Sequence, residues 1–306
     1  MEKIKVAVIG AGGKMGTRTS NNLVTKFPDK FDVKLVETYP PAVERIEKER
    51  GLKVTPVEEA LEFAEVVIFA VPDTLIKKLS AQYVPMLKPG TVFLILDPAA
   101  AVAKELTLRD DCTFGVAHPC HPSYFKWQKE EEAYKDRFGG EGGHQDIVMS
   151  CIQGDEEKFK LAQETARCMY RADHAYVMTS EQIAFLEPTL VETLGATCCF
   201  AMAQTVNEAE KRGIPREAAV SFLTGHVFNL TANFLSNQET QYLPGNPPVS
   251  DACKVALCIG HHLVLREDWQ KIWDDELLSK VIATMLHPED SMKNLGFEID
   301  VTPYNK

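Results

Sequence analysis

The chain has no Cys-x-x-Cys pair and no long basic tract. Its 8 cysteines are scattered, apart from the adjacent Cys198 and Cys199. This spacing argues against a zinc ribbon and against a disulfide framework, so reduced thiols in a cytoplasmic protein are expected. A net charge of −11 makes nucleic acid and anionic membranes poor partners. No apolar run is expected to be long enough to span a bilayer. A strand signal begins at Ile4, so no secretory leader is expected. There is no internal repeat and no low-complexity segment.

What is present is a chain of 306 residues, enough for one large core or two moderate ones. Residues 4–16 read IKVAVIGAGGKMG. An apolar run breaks into glycines and then takes up helical spacing, as in a strand that turns into a helix whose N–H groups hold a pyrophosphate. Gly10 permits the turn, Gly12 lets backbone approach phosphate, and Gly13 and Gly16 allow close helix–strand passage. The whole turn, with Ala11, Lys14 and Met15, is the expected dinucleotide contact. The next apolar run, Val33 to Val36, ends at Glu37. A carboxylate there accepts from a ribose 2′-hydroxyl and repels a 2′-phosphate, which favours NAD over NADP. Arg45, the nearest arginine, is expected on the solvated face of the following helix.

Strand and helix signals alternate through the first half, with strands at 66–71, 92–96, 113–117, 146–152 and 175–178. Alternation of this kind gives a mostly parallel, doubly wound sheet. Past Thr179 the strand signals cease. Thr179 and Gln182 have capping-box spacing, and long helical stretches follow at 189–212, 216–235 and 251–265, with a Pro/Gly/Asn-rich loop at 241–250. The expected architecture is α/β: an N-terminal Rossmann domain over 1–180, then an all-helical domain over 181–306 that carries substrate and dimer contacts. Small and apolar residues on several faces of LGATCCFAMAQTV suggest a helix buried on most sides, as in a homodimer.

Ligands collect at the carboxyl ends of the strands in such a sheet. Pro72 and Asp73 follow the third strand signal; Asp73 either contacts the cofactor ribose or caps the next helix. Asp97 precedes a proline and suits a turn. In His118-Pro119-Cys120-His121-Pro122 the prolines are expected to hold the chain extended. His118 stands nearest the expected nicotinamide, as base, substrate donor or metal ligand. His121 is either a second cleft residue or a loop histidine bonded to backbone. Glu187, just before Pro188, is expected at a helix N-terminus, where it either complements the dipole or pairs with His118 as proton acceptor or metal ligand. Lys254 either reaches a substrate carboxylate or is solvated.

The glycine motif, VPD and the helical second half resemble the 6-phosphogluconate and 3-hydroxyacid dehydrogenase superfamily. HPCHP and FLEPTLVET resemble its oxidoisomerase group, which acts on D-apionate and is related in plan to ketol-acid reductoisomerase. The resemblance implies NAD-dependent oxidation of a small branched sugar acid, coupled to migration of a carbon substituent. A plain hydroxyacid dehydrogenase and a non-catalytic NAD sensor are the competing readings. The stretch 189–212 has no lysine before Lys211, so the catalytic lysine of ordinary 3-hydroxyacid dehydrogenases has no counterpart there. Glu187 falls where ketol-acid reductoisomerases hold metal-binding carboxylates, which implies a divalent ion such as Zn or Mg on His118 and Glu187.

Overall fold

The computed structural model describes residues 2–123, 125–235, 250–264, 275–295 and 299. The expected loop at 241–250 therefore lies, but for Ser250, outside the described residues. Two compact units form: Met1–Glu187 with Ile282–Leu295, and a second that begins at Pro188 and runs to Val281.

The first unit is built on a seven-stranded sheet in the order β2-β1-β3-β4-β5-β6-β7. The strands are β1 Ile4–Ile9, β2 Phe31–Val36, β3 Val66–Phe69, β4 Val92–Ile95, β5 Thr113–Pro119, β6 Gln145–Gln153 and β7 Ala172–Val177. Pairing is parallel except between β5 and β6. The runs VVIF of β3 and VFLI of β4 are buried throughout, as expected of strands covered on both faces. Helices α1 Lys14–Thr25, α2 Pro40–Glu44, α3 Val57–Phe63, α4 Asp73–Tyr83, α5 Ala99–Val102, α6 Glu131–Lys135 and α7 Glu156–Tyr170 connect them. One cluster from Val6 and Val8 through Ile68 and Leu94 to Met149 and Phe159 forms the core. Burying each such side chain stabilises by about 1.5–3 kcal/mol. Because β5 and β6 are antiparallel, the 120–144 connection leaves and re-enters the sheet at one end, the carboxyl end of β5.

Helix α8 (Ser180–Ala184) opens on the expected capping box: Thr179 Oγ1 accepts from Gln182 N–H at 3.2 Å, and Gln182 Oε1 accepts from Thr179 N–H at 3.0 Å. The chain then widens into a π-helix over Phe185–Gly195 with Pro188 inside. Proline has no N–H to give the i−4 carbonyl, and the i→i+5 pattern absorbs the lost bond. Thr193 Oγ1 donates to the Pro188 carbonyl at 2.8 Å, five residues back. Ile183 and Ala184 are buried in the first unit, so the unit ends at 187 and not at the expected 180.

The second unit contains α9 Ala196–Lys211, α10 Arg216–Leu235 and α11 Asp251–Val264; α12 Asp275–Leu286 crosses the boundary at Ile282, and α13 Pro288–Leu295 belongs to the first unit. Within one chain Val206 is the buried residue of α9, while Cys198 and Cys199 are exposed. One expectation is corrected here: the continuous helix Ser180–Lys211 is long and apolar enough, by length and composition only, to cross a membrane, although most of its apolar window is unburied. Read residue by residue, the run is broken by Glu187 and Glu192; read as a helix, it is continuous.

Candidate active site

The nucleotide end of the site is the β1–α1 turn. Gly10 takes φ +79°, and a Cβ there would collide with the Ala70 carbonyl. At Gly12 a Cβ would stand 2.6 Å from the Ala42 Cβ and 3.1 Å from Glu37 Oε2. The N–H groups of Gly10 and Ala11 both donate to the Val36 carbonyl, at 3.0 and 3.1 Å, and Gly13 N–H donates to the Gly10 carbonyl at 3.1 Å. Helical bonding in α1 starts with Thr17 N–H to the Gly13 carbonyl, and no side chain caps the helix. The N–H groups of Lys14, Met15 and Gly16 therefore point out of the turn without an intrahelical partner, as an anion site requires. These backbone groups fit a pyrophosphate. The side chains of Ala11 and Met15 do not take part: Ala11 is fully buried and Met15 packs on the core. The Lys14 side chain lies over the Phe138 ring, 4.1 Å from its centroid.

Glu37 sits at the end of β2 as expected. Its Oε2 accepts from Gly12 N–H at 3.0 Å, and its Oε1 accepts from Thr38 and Tyr39 N–H at 2.8 and 3.0 Å. The carboxylate is thus fixed against the glycine turn. Arg45 is exposed, as expected, and its Nη2 also donates to the Gly12 carbonyl at 3.0 Å, so a guanidinium stands at the same turn. The signal was present one helical turn past Pro40, but charge spacing alone does not reveal a bond across to a backbone carbonyl.

The chemical end lies where β3, β4 and β5 terminate. His118 Nδ1 donates to the Leu96 carbonyl at 2.8 Å. That bond fixes the tautomer and leaves Nε2 as the lone-pair nitrogen of the neutral ring. Nε2 is out of solvent, 3.3 Å from Glu187 Oε2, yet lacks an aligned hydrogen-bond partner. Burial disfavours the imidazolium, but the Glu187 carboxylate, then Asp97 and the Leu96 carbonyl, more than offset it, and His118 titrates above the ordinary imidazole value. Burial likewise opposes the Glu187 carboxylate, and the charges of His118 and His121 overcome it, holding that carboxyl below its usual range. Glu187 is not at a helix N-terminus, as expected from Pro188, but inside the continuous α8–π segment.

Asp97 Oδ1 accepts from Ala99 N–H at 2.8 Å, the expected turn, and its Oδ2 lies 4.0 Å from His118 Nδ1. Asp73 is not a cap. The N-cap of α4 is Pro72, with no side-chain cap bond, and Asp73 is the first helical residue. Burial, then the negative charge of Asp97, push the Asp73 carboxyl up to about 6. The segment after His118 is not extended throughout: Cys120 N–H still pairs with the Asp146 carbonyl at 2.9 Å, but His121 turns left-handed at φ +58°. Its Nδ1 donates to the Phe138 carbonyl at 2.6 Å. No group of three His, Cys, Asp or Glu able to hold a metal ion is found among the described residues. His118 and Glu187 supply two donors, fewer than the three or four protein ligands of a zinc site, while magnesium, which keeps most of its water, would be held by the Glu187 carboxylate. Lys254 belongs to α11, but its side chain lies outside the described residues.

A turn whose backbone fits a pyrophosphate, a fixed acidic residue and a histidine–glutamate pair describe a dehydrogenase-type site without naming a substrate. Comparison with known proteins does more. The chain is 70% identical to a D-apionate oxidoisomerase of Blautia hydrogenotrophica over 290 residues, 94% of this chain and 99% of that one. The chain belongs to the D-apionate oxidoisomerase family. A family member from Cupriavidus necator is 41% identical over 92% of this chain and 98% of its own length. Residues 126–286 match the family of the phosphogluconate dehydrogenase (decarboxylating) C-terminal domain, and residues 1–114 match the acetohydroxy acid isomeroreductase NADPH-binding domain. Among solved structures, a semialdehyde dehydrogenase NAD-binding protein from Cupriavidus necator, in complex with calcium and NAD, shares 40% identity with a TM-score of 0.83, covering 93% of this chain and all of that one. A ketol-acid reductoisomerase from an uncultured archaeon, at 20% identity and a TM-score of 0.63 over 95% of this chain and 86% of its own, shares the fold. With the oxidoisomerase family comes the class of chemistry: this chain is an NAD(P)-dependent oxidoreductase.

Proposed function

We propose that this protein oxidises D-apionate with NAD and couples the oxidation to migration of a carbon substituent, giving 3-oxo-isoapionate and NADH. The observation that carries the reading is 70% identity to a D-apionate oxidoisomerase over nearly the whole of both chains. D-Apionate has one secondary carbinol, at C2, beside a tertiary carbinol that bears two hydroxymethyl groups. NAD, which the β1–α1 turn and Glu37 would hold, would supply the acceptor for the C2 hydride. His118 Nε2, freed by the Nδ1 bond to Leu96, takes the proton of the C2 hydroxyl, and Glu187 balances the imidazolium that forms. For the rearrangement, the tertiary hydroxyl loses its proton to bulk water, the net proton released alongside NADH, and its carbon becomes the new ketone. One hydroxymethyl group moves with its bonding pair to C2, and the C2 oxygen takes a proton back. His118, charged after the first step, is the group positioned to return it.

The choice of NAD over NADP rests on Glu37. Gly10 to Gly16 and Pro72-Asp73 line the cofactor side in this reading, and Lys254 and the helical part past residue 180 serve substrate and dimer contacts. Cytoplasmic location and a homodimer complete it. Phe222 and Leu235 of α10 are 70% and 72% exposed within one chain, an apolar surface that a second copy would cover. Light scattering of the purified protein at several concentrations tests the dimer; a monomer throughout would refute it. The activity is tested by incubating 13C-labelled D-apionate with NAD, with and without chelator, and following NADH absorbance and product NMR. NADH with a migrated label supports the oxidoisomerase. NADH with an unrearranged 2-oxo acid would mean a plain dehydrogenase, and cofactor binding without turnover would mean a sensor. Loss of turnover in chelator would require a metal that His118 and Glu187 do not complete by themselves.

A further inference from the structure

The 120–144 connection is fastened to α1, the helix that follows the glycine turn. Asn22 Nδ2 donates to the Gly140 carbonyl and, at 2.9 Å, to the Met169 carbonyl. The Arg18 guanidinium donates to the Gly139 carbonyl and lies 3.5 Å from Asp136 Oδ1. Asp136 gathers the bend by accepting N–H bonds from Gly139, Glu141, Gly142 and Gly143 at 2.9–3.0 Å. These bonds set Phe138 against the first two turns of α1. Its ring takes two cations from that helix, with Lys14 Nζ 4.1 Å and Arg18 Cζ 3.9 Å from its centroid.

The two cations differ in what else they meet. Arg18 is matched by Asp136, and Arg45, the other arginine at this turn, is spent on the Gly12 carbonyl. Lys14 has no acidic partner among the described residues; its contact is the Phe138 ring. Lys14 is also the first residue of α1, and its own N–H is one of those that open on the anion site. A four-carbon stem keeps the ammonium within roughly 6 Å of its Cα, so it stays close to any anion held by that N–H. A ring covers one side of an ammonium and leaves N–H donors for an anion. A lysine already held on a ring has also lost the rotamer freedom that a loose one gives up on binding.

We propose that Phe138 is a positioning residue for the coenzyme: its ring holds the Lys14 ammonium beside the mouth of the glycine turn, where that charge meets the pyrophosphate. This rests on the NAD-dependent reading above. A dinucleotide brings two negative charges to the turn, and the helix N-terminus supplies about half a positive charge against them. Lys14 supplies a whole one. The 120–144 connection, which carries no part of the glycine motif, thereby takes part in coenzyme affinity. Nothing in the local sequence signals this, because 124 residues separate Lys14 from Phe138.

The test is a double-mutant cycle of Lys14→Met and Phe138→Leu, with Phe138→Tyr as the conservative variant. Binding of ADP-ribose, which carries the pyrophosphate, and of adenosine, which lacks it, is measured by competition against NADH fluorescence. Lys14→Met should raise the Kd of ADP-ribose about tenfold, as for loss of a charge-assisted hydrogen bond. Phe138→Leu should raise it about threefold, the size of a cation–π contact at an exposed site. The double variant should bind ADP-ribose as Lys14→Met does, since a ring without its ammonium has nothing left to position. Phe138→Tyr keeps the ring and should keep the wild-type Kd. Adenosine should bind all of these proteins alike. An unchanged Kd in Phe138→Leu, additive losses in the double variant, an equal loss on adenosine, or a Phe138→Tyr as weak as Phe138→Leu would each overturn the assignment. If the wild type itself binds neither NADH nor ADP-ribose, the NAD-dependent reading falls, and this inference with it.

Discussion

Replacing Glu37 by glutamine should move coenzyme preference from NAD towards NADP. Glutamine keeps the shape and removes the charge: its one oxygen can go on accepting from Thr38 and Tyr39 N–H, while its NH2 replaces the oxygen that accepts from Gly12 N–H. Two effects add. A hydroxyl bound to a charged acceptor contributes about 1.5–3 kcal/mol, against 0.5–1.5 for a neutral one, so NAD should weaken by roughly 1 kcal/mol. A 2′-phosphate at roughly 5 Å from a carboxylate is repelled by about 1–3 kcal/mol at an effective dielectric of 40–80, and that repulsion disappears. Arg45, bonded to the Gly12 carbonyl, is then left as the dominant charge at the turn. The sum corresponds to a change of roughly 30- to 1000-fold in the ratio of kcat/KM for NAD over NADP. Initial rates with both coenzymes at saturating sugar acid measure it. A ratio that moves less than about threefold would show that Glu37 does not face the adenosine ribose.

Other predictions follow from the chemical end of the site. His118→Gln should lower kcat for NADH formation by about 10²–10⁴-fold with NAD binding intact, as measured by stopped-flow and fluorescence titration. Glu187→Gln removes the main charge that holds His118 above its ordinary value, so the acidic limb of kcat/KM should move to lower pH. The same pair sets a stability window. The raised His118 contributes below the ordinary imidazole value and is lost as pH rises through its folded value; the lowered Glu187 contributes above the ordinary carboxylate value and is lost as pH falls. The stability difference between wild type and Glu187→Gln should therefore be largest at mildly acidic pH and shrink on both sides, read by denaturant melts. Asp73, raised to about 6, costs stability wherever it is ionised in the folded chain. Asp73→Asn should stabilise by about 1–3 kcal/mol at pH 8 and show no gain at pH 3, below both of its pKa values.

The glycine turn, Glu37, the alternation of strands and helices and the capping box at Thr179 were legible in the sequence because each is a local rule of backbone geometry. Glycine spacing, an acid at a strand end and a Thr–Gln pair three apart mean the same thing in any fold that contains them. The His118–Glu187 pair was legible as two residues of suitable chemistry, but only the tertiary structure brought them to 3.3 Å, since 69 residues separate them in the chain. The left-handed turn at His121, the engagement of Arg45 with Gly12 and the raised carboxyl of Asp73 involve groups far away in sequence: the Phe138 carbonyl, the β1–α1 turn and the charge of Asp97. Local pattern fixes which backbone shapes are permitted. Burial and long-range charge, which exist only once the strand ends have converged, decide what each polar side chain there can do.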